Sequence, residues 1–347
     1  MNITAINSEK GKMEKMPLSL TKKVKWYKEM AGEVDQHLRK HPHDWGRFQS
    51  QFNQEINNVF REILDFEKEN SENNHDAKVY RLKRLFGRKF RQLFLRGEYI
   101  TWSLKKPYGY AGDFQIIDYI YQNNPTTLGF DRLFDNYFQM SAISVAVRNR
   151  KEDIKRFIMS AALNNPGKQI RIMNLACGPS RDVQELLLGL KDIPTKLEFH
   201  CYDADSHALE YAKKVVKFAP NVHFYQMNVL RIALKKDIER QFDSTFDIIF
   251  STGLFDYLNT QVSVRLIGNL RKILTPGGSL FVSDVRDKFS NPSAYFMEWV
   301  GDWNLIYRSD DDFRGIFTES GFKERDLSYG YEQQGIMQYV TAKQPEK

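Results

Sequence analysis

Residues 170–180, Ile170-Arg-Ile-Met-Asn-Leu-Ala-Cys-Gly-Pro-Ser180, decide the fold. An apolar run of strand length, Ile170–Ala176, enters the turn Cys177-Gly178-Pro179-Ser180 directly, and an amphipathic stretch, Asp182–Leu190, follows. Working downstream, the same alternation recurs: Leu197–Tyr202 then His207–Phe218, Val222–Met227 then Leu230–Gln241, and Phe246–Phe250 then Val262–Leu274 before Ser279–Val282. Short apolar runs separated by helical patterns over more than four units predict an α/β domain, a parallel sheet with helices on both faces.

In such a sheet, ligands bind beyond the carboxyl ends of the strands, where strand order reverses. Gly178 lets the backbone turn tightly and approach a ligand as no residue with a Cβ could. Asp203 ends the second strand 25 residues later, placed to accept hydrogen bonds from ribose hydroxyls. Asp205 or Ser206 is positioned to cap the next helix. The pattern G-x-G-x-x-G is absent, because Ala176 and Ser180 stand where flanking glycines would be, and there is no Walker lysine. A pyrophosphate ligand is therefore disfavoured, and an adenosine without phosphates fits better. A lone glycine after a strand is ordinarily just a βα turn; Asp203 and the later segments raise it above that.

Upstream the periodicity changes. Phe52, Ile56, Val59, Phe60, Ile63 and Leu64 recur at helical spacing, as do Val79, Leu82, Phe86, Phe90 and Leu93. Lys22 to Lys40 and Leu128 to Leu163 read as further helices. Asn164-Asn165-Pro166-Gly167 is a strong breaker and the expected boundary. The chain is thus read as a flexible tail over 1–17, a helical domain over 18–165 that covers substrate or docks a partner, and a sheet domain over 166–347. Charge follows the same division: residues 1–166 carry a net +8, the remainder −1. With 347 residues, 41% apolar and 27% charged, the chain can bury a large core, which excludes collagen-like and wholly disordered classes. No apolar run reaches the ~20 residues that cross a bilayer, and the first sixteen residues lack a signal-peptide core. Two cysteines, Cys177 and Cys201, cannot build a disulfide framework, and no Cys/His cluster has metal spacing, so no metal is expected. The expectation is a soluble cytoplasmic protein.

The motifs carry a resemblance. Asn174-Leu-Ala-Cys-Gly-Pro-Ser180 resembles the glycine loop of class I S-adenosylmethionine-dependent methyltransferases, and Tyr202-Asp-Ala-Asp-Ser-His-Ala-Leu-Glu-Tyr-Ala212 resembles their second-strand segment. Phe246-Asp-Ile-Ile-Phe-Ser251 is similar to their fourth strand, and Leu274-Thr-Pro-Gly-Gly-Ser-Leu280 to the turn into their fifth. The match covers about residues 168–345. It implies a Rossmann-like, mostly parallel seven-stranded sheet and S-adenosyl-L-methionine as cofactor. It further implies cofactor contacts at Asn174, Ala176, Gly178, Asp203, Ala204, Asn228, Val229 and Ser251. Asn228 stands where an acid usually meets the adenine amino group, and an Asn carbonyl can still accept from it. Lys106-Pro-Tyr-Gly-Tyr-Ala-Gly-Asp113 and Asn291–Arg308 more loosely resemble segments of the bacterial 3-hydroxypalmitic acid methyl ester synthase group, which esterify a fatty acid carboxylate.

Several side chains are candidates beyond the cofactor. In Tyr108-Gly-Tyr-Ala-Gly-Asp113 the functional reading is a lid, with Tyr110 over the cofactor and Asp113 on its ammonium or on substrate; the ordinary reading is a capped turn. Arg148 and Arg150 follow an apolar helical run and could grip a carboxylate by a bidentate fork, Arg148 being taken with Tyr110 and Asp113 as catalytic. The insertion at 288–309 spaces Tyr295, Trp299, Trp303 and Tyr307 by four residues, so they stack on one helix face as core or as a wall of an apolar pocket. Phe255 and Tyr257, just past the fourth strand, would face the same space. His200, His207 and His223 read as structural, and the lack of a catalytic histidine favours a carboxylate acceptor, which needs no base. Arg81, Arg84, Arg88 and Arg91 form a helical stripe opposite the apolar one; if not merely solvated, it would dock an acidic carrier protein, a coenzyme A-like anion or an anionic membrane surface, with nucleic acid last. The reading is methyl transfer to a small or lipidic acceptor, most concretely a 3-hydroxy fatty acid carboxylate to give a methyl ester. The alternatives are a methyltransferase of RNA or protein, and a non-catalytic S-adenosylmethionine-binding regulator.

Overall fold

The computed structural model describes residues 15–190 and 196–346; most of the expected tail over 1–17 lies outside the described residues. The chain opens with helices α1 (Leu18–Lys40), α2 (Gln49–Glu72), α3 (Asp76–Lys89), α4 (Arg91–Phe94) and α5 (Glu98–Lys105). They are followed by α6 (Phe114–Gln122), α7 (Gly129–Met140) and α8 (Ala142–Leu163). The apolar stripe of α2 is buried as its spacing predicts: Phe52, Ile56, Val59 and Ile63 are all inaccessible to solvent. The expected helical run Leu128–Leu163 breaks at Ser141, whose hydroxyl accepts from the Ser144 N–H and caps α8. The arginine stripe is shortened too. Phe90 leaves helical geometry at φ −128°, so Arg91 starts a separate turn and its Nε donates to the Trp299 carbonyl at 3.3 Å, leaving Arg81, Arg84 and Arg88 as the outer row.

The sheet has seven strands: β1 (Gln169–Leu175), β2 (Lys196–Asp203), β3 (Val222–Gln226), β4 (Phe246–Ser251), β5 (Leu274–Val285), β6 (Leu327–Tyr331) and β7 (Met337–Lys343). Their order is 3-2-1-4-5-7-6, parallel except that β7 runs antiparallel to both β5 and β6. Helices α9 (Arg181–Gly189), α10 (Ser206–Val215), α11 (Val229–Leu234) and α12 (Thr260–Lys272) lie between the parallel strands, with α13 (Ala294–Trp299) and α14 (Asp310–Glu319) after β5. Strand order reverses between the parallel neighbours β1 and β4, and the crevice past their carboxyl ends is where such a sheet takes a ligand. Met173, Leu175, Ile249 and Val282 fill the sheet's core with Leu266 and Ile267 of α12. No helix among the described residues is long and apolar enough to cross a membrane.

Two compact units form, and they do not follow the boundary drawn at residue 166. One contains the chain up to Thr101, Thr126–Tyr137 and Tyr295–Asp302; the other contains Trp102–Pro125, Phe138–Ala294 and the chain from Trp303. The reason for the second unit's extent is that α8 packs on α9 and β7, and α6 on α8, so those helices complete the sheet domain. The aromatic stripe is corrected as well. Helix α13 ends at Trp299, Asp302 takes φ +51°, and Trp303 to Ser309 run without helix, so no single face carries all four rings. Tyr295 and Trp299 belong to the helical unit, where Phe296 meets Phe60 edge-on at 5.4 Å and the Trp299 indole donates to Glu67 Oε1 at 3.1 Å. Tyr307 lies in the sheet unit but does not line its cavity.

Candidate active site

A cavity of about 350 Å³ opens at the carboxyl ends of β1, β2 and β4 within the sheet unit. Its floor is the turn after β1. Ala176, Gly178 and Ser180 all take positive φ, at 57°, 51° and 54°, so the backbone adopts glycine-like geometry at three positions although only one is glycine. That conformation costs L-residues about 1–2 kcal/mol each, and hydrogen bonds hold it. The Gly178 N–H donates to Asp203 Oδ2 at 3.0 Å, the Asp205 N–H to Asp203 Oδ1 at 3.0 Å, and the Cys177 N–H to the Tyr202 carbonyl at 3.0 Å. A Cβ on Gly178 would meet nothing within 4 Å, because it would point into the open cavity.

Burial raises the Asp203 carboxyl above its usual range, against the pull of its backbone donors. Asp182, in the first turn of α9, is pushed up to about 6 by burial. The Cys177 thiol, hydrogen-bonded to Cys201 and buried, is held well above the ordinary thiol range, which disfavours its nucleophilic thiolate form. Asp205 caps α10 through Oδ1, which accepts from the His207 N–H at 2.9 Å, while its buried Oδ2 accepts nothing. An unmet acceptor beside Asp203 suits hydroxyl donors of a nucleoside, and Asp182, Asp203, Asp205 and Asp256 around one cavity suit a ligand bearing sulfonium and ammonium charge.

The opposite wall is built of side chains. The Trp303 indole donates to Tyr257 Oη at 2.8 Å, and Gly112 passes so close that a Cβ there would overlap that hydroxyl and stand 2.7 Å from Trp303 Cζ2. Tyr110 lines the same space, its phenol raised by burial and by Asp203. Of the expected cofactor residues, Ala176, Gly178, Asp203, Ala204 and Val229 line the cavity. Asn174, Asn228 and Ser251 do not: Asn174 is buried in β1, Asn228 Oδ1 accepts from the Leu230 N–H to cap α11, and Ser251 donates to the Leu175 carbonyl at 2.8 Å.

Two catalytic expectations are corrected. Asp113 is wholly buried as the cap of α6, accepting from Gln115 and Ile116 N–H and from the Trp102 indole, so the capped-turn reading holds for it. Arg148 points away from the cavity and donates to Gln139 Oε1 and to its carbonyl, both at 2.8 Å. Phe255 is core, and none of His200, His207 and His223 lines the cavity. Sequence reasoning missed Asp256 and Asp182. Asp256 Oδ1 accepts from the Val285 N–H at 2.7 Å, and burial, with Asp256 beside it, raises the Asp284 carboxyl well above the ordinary carboxylate range despite Arg308 Nη1 at 3.0 Å. The signal available was an acid between two aromatics just past the fourth strand.

Residues 166–329 match the model of a methyltransferase domain. A crystal structure described as a possible exported protein from Bordetella parapertussis superposes with a TM-score of 0.58 at 16% identity, covering 76% of this chain and 95% of its own, a likeness of fold. The N-methyltransferase NodS from Bradyrhizobium japonicum WM9 gives 0.39 at 17% identity over 57% and 96%. Magnesium protoporphyrin IX methyltransferase from Synechocystis PCC 6803 gives 0.44 at 11% over 58% and 86%. Compared with curated protein sequences, the chain matches none. That domain match, laid over the glycine turn and the acid ending β2, makes residues 166–329 similar to a methyltransferase domain.

Proposed function

We propose that this enzyme methylates a small lipidic molecule at a carboxylate, as in esterification of a 3-hydroxy fatty acid. The cavity lining carries the reading: Ile117, Ile143, Val147, Leu254, Leu305 and Met337 give apolar walls, and none of the lining residues among those described is a histidine. S-adenosylmethionine supplies a methyl group already activated by its sulfonium. Gly178 and Asp203 seat the nucleoside, and Tyr110 with the Trp303–Tyr257 pair excludes water. A carboxylate is anionic at neutral pH and needs no proton acceptor, so alignment and desolvation supply the acceleration. The resemblance of residues 106–113 and 291–308 to fatty acid methyl ester synthases supports the same acceptor. Two free, buried cysteines suit a reducing compartment such as the cytoplasm.

A second reading has Asp256 behind it. A carboxylate at the cavity could take the proton from a hydroxyl or amine acceptor. Incubation with methyl-labelled S-adenosylmethionine and cell extract separates the two. Label in the lipid fraction, released as methanol by mild alkali, supports the ester; alkali-stable label, or label in protein or RNA, overturns it.

A further inference from the structure

We infer that Arg150 is the carboxylate-recognising residue of this cavity, which sets its preference for an acid-bearing ligand. Arg150 lies on α8, is 4% exposed, and is the one cationic side chain among the described lining residues, facing four carboxylates. None of the four pairs closely with it. Its nearest acid is Asp256, with Oδ2 3.9 Å from Nη1, too long for a hydrogen bond. Its Nε is buried without a partner. Tyr121 lines the cavity with it, and that phenol, pushed up to about 12 by burial, is neutral and brings no charge to the guanidinium.

The other buried arginine of this unit shows the contrast. Arg308 Nη1 holds Asp284 at 3.0 and 3.2 Å and the Phe255 carbonyl at 2.9 Å, close partners that Arg150 lacks, although Arg308 Nε too is buried without one. A buried cation without such a match is held at a cost of several kcal/mol, and the geometry points to a ligand that supplies the match. A guanidinium's planar fork fits a carboxylate with two parallel N–H···O bonds. Two features keep the fork in place. Asp256 is pinned by the Val285 N–H and cannot swing onto Arg150, which makes it a positioning residue. Gly253 presents bare backbone: a Cβ there would sit 3.0 Å from Arg150 Nη2 and push the guanidinium away.

The carboxylate has two sources, the amino-acid end of the cofactor and the acceptor. The inference rests on the proposed acceptor only for the second, and binding measured without turnover keeps the two separable. Calorimetry would compare S-adenosylmethionine with its decarboxylated form, and 3-hydroxyhexadecanoate with its amide, on the wild-type protein and on Arg150→Gln. Wild type should discriminate at least tenfold within one pair, and Arg150→Gln should bring that pair within about twofold. Discrimination within the first pair assigns the fork to the cofactor, within the second to the acceptor. Arg150→Lys keeps the charge but loses the fork; should Arg150→Gln not fold, Arg150→Lys is expected to cut the discrimination three- to tenfold. A wild-type protein indifferent within both pairs, or a folded variant that discriminates as wild type does, would overturn the inference. An amine or hydroxyl product alongside Arg150-dependent cofactor discrimination would sink the ester reading and leave this one standing.

Discussion

The two sides of the cavity are built by opposite means. From Ala176 to Asp205 the surface is backbone, a loop with three left-handed residues tied to Asp203 through the N–H groups of Gly178 and Asp205. Across from it, Tyr110, Tyr257 and Trp303 come from three separate stretches of chain and meet through side chains. The backbone side is local, so its conformation is written in eleven consecutive residues and one acid. The side-chain side exists only once the sheet has brought its parts together. Affinity for the nucleoside should therefore respond to changes on the first side, and turnover to changes on the second.

The largest expected effect tests the backbone side. Gly178→Val places a branched side chain in the open cavity at φ +51°, and titration calorimetry should find cofactor affinity down more than about 100-fold. Far-UV circular dichroism should stay unchanged. Asp203→Ala should cost about 2–3 kcal/mol of cofactor binding, as buried charged hydrogen bonds do; unchanged affinity would remove Asp203 from the site. On the other wall, Gly112→Ala drives a methyl group into Tyr257 and Trp303, an overpacking worth about 1–3 kcal/mol. Steady-state turnover should fall about tenfold or more with cofactor affinity within threefold. If Gly112→Ala weakens cofactor binding as much as Asp203→Ala does, the two sides are not separable.

The same contrast explains what was legible in the sequence. The strand–turn–helix around Gly178, the acid ending β2 and the strand–helix alternation depend on near neighbours, and each stands where its spacing predicts. Helix α2 is equally plain from its apolar periodicity. What failed required long-range information. A four-residue spacing joined Trp299 to Trp303, but Gly301-Asp302 ends the helix, and Trp303 alone of the four rings reaches the cavity. Arg148 and Arg150 are two residues apart on α8 and so point to different sides, a distinction that needs the packing of the helix. Ala176 and Ser180 lacked the glycines their conformation favours, so sequence alone gave no sign that the loop takes it three times.

Asp182 sharpens the comparison, because it follows the backbone loop yet its behaviour comes from burial. Its folded-state pKa, about 6, lies above the ordinary carboxylate value of 3.8. The folded protein therefore prefers the protonated form. The stability this contributes is complete below about pH 4 and lost as pH rises through about 6. An Asn there cannot ionise and still accepts from the Val183 N–H, which donates to Asp182 Oδ1 at 2.9 Å. Urea denaturation should find Asp182→Asn more stable than wild type by about 3 kcal/mol at pH 8, and no more stable at pH 4. An advantage of equal size at both pH values would mean that repacking, not ionisation, is responsible.

The smallest effect concerns the loop's stored strain. Ala176 sits at φ +57°, where a Cβ crowds the following carbonyl by about 1–2 kcal/mol and glycine does not. Glycine also loosens the unfolded chain, which costs about 0.5–1 kcal/mol. The two oppose each other, leaving Ala176→Gly about 0.5 kcal/mol more stable than wild type. Gly178→Ala, the reverse exchange two residues on at φ +51°, should be destabilising by a similar amount, since its Cβ meets nothing and only the backbone term acts. Urea midpoints at constant slope would check the pair. Opposite signs would establish that hydrogen bonds to Asp203 and Tyr202 force a glycine-like path on residues that resist it. A loss of stability in Ala176→Gly would mean that the alanine methyl is a packing contact, and the backbone side of the cavity would then depend on side chains as its opposite wall does.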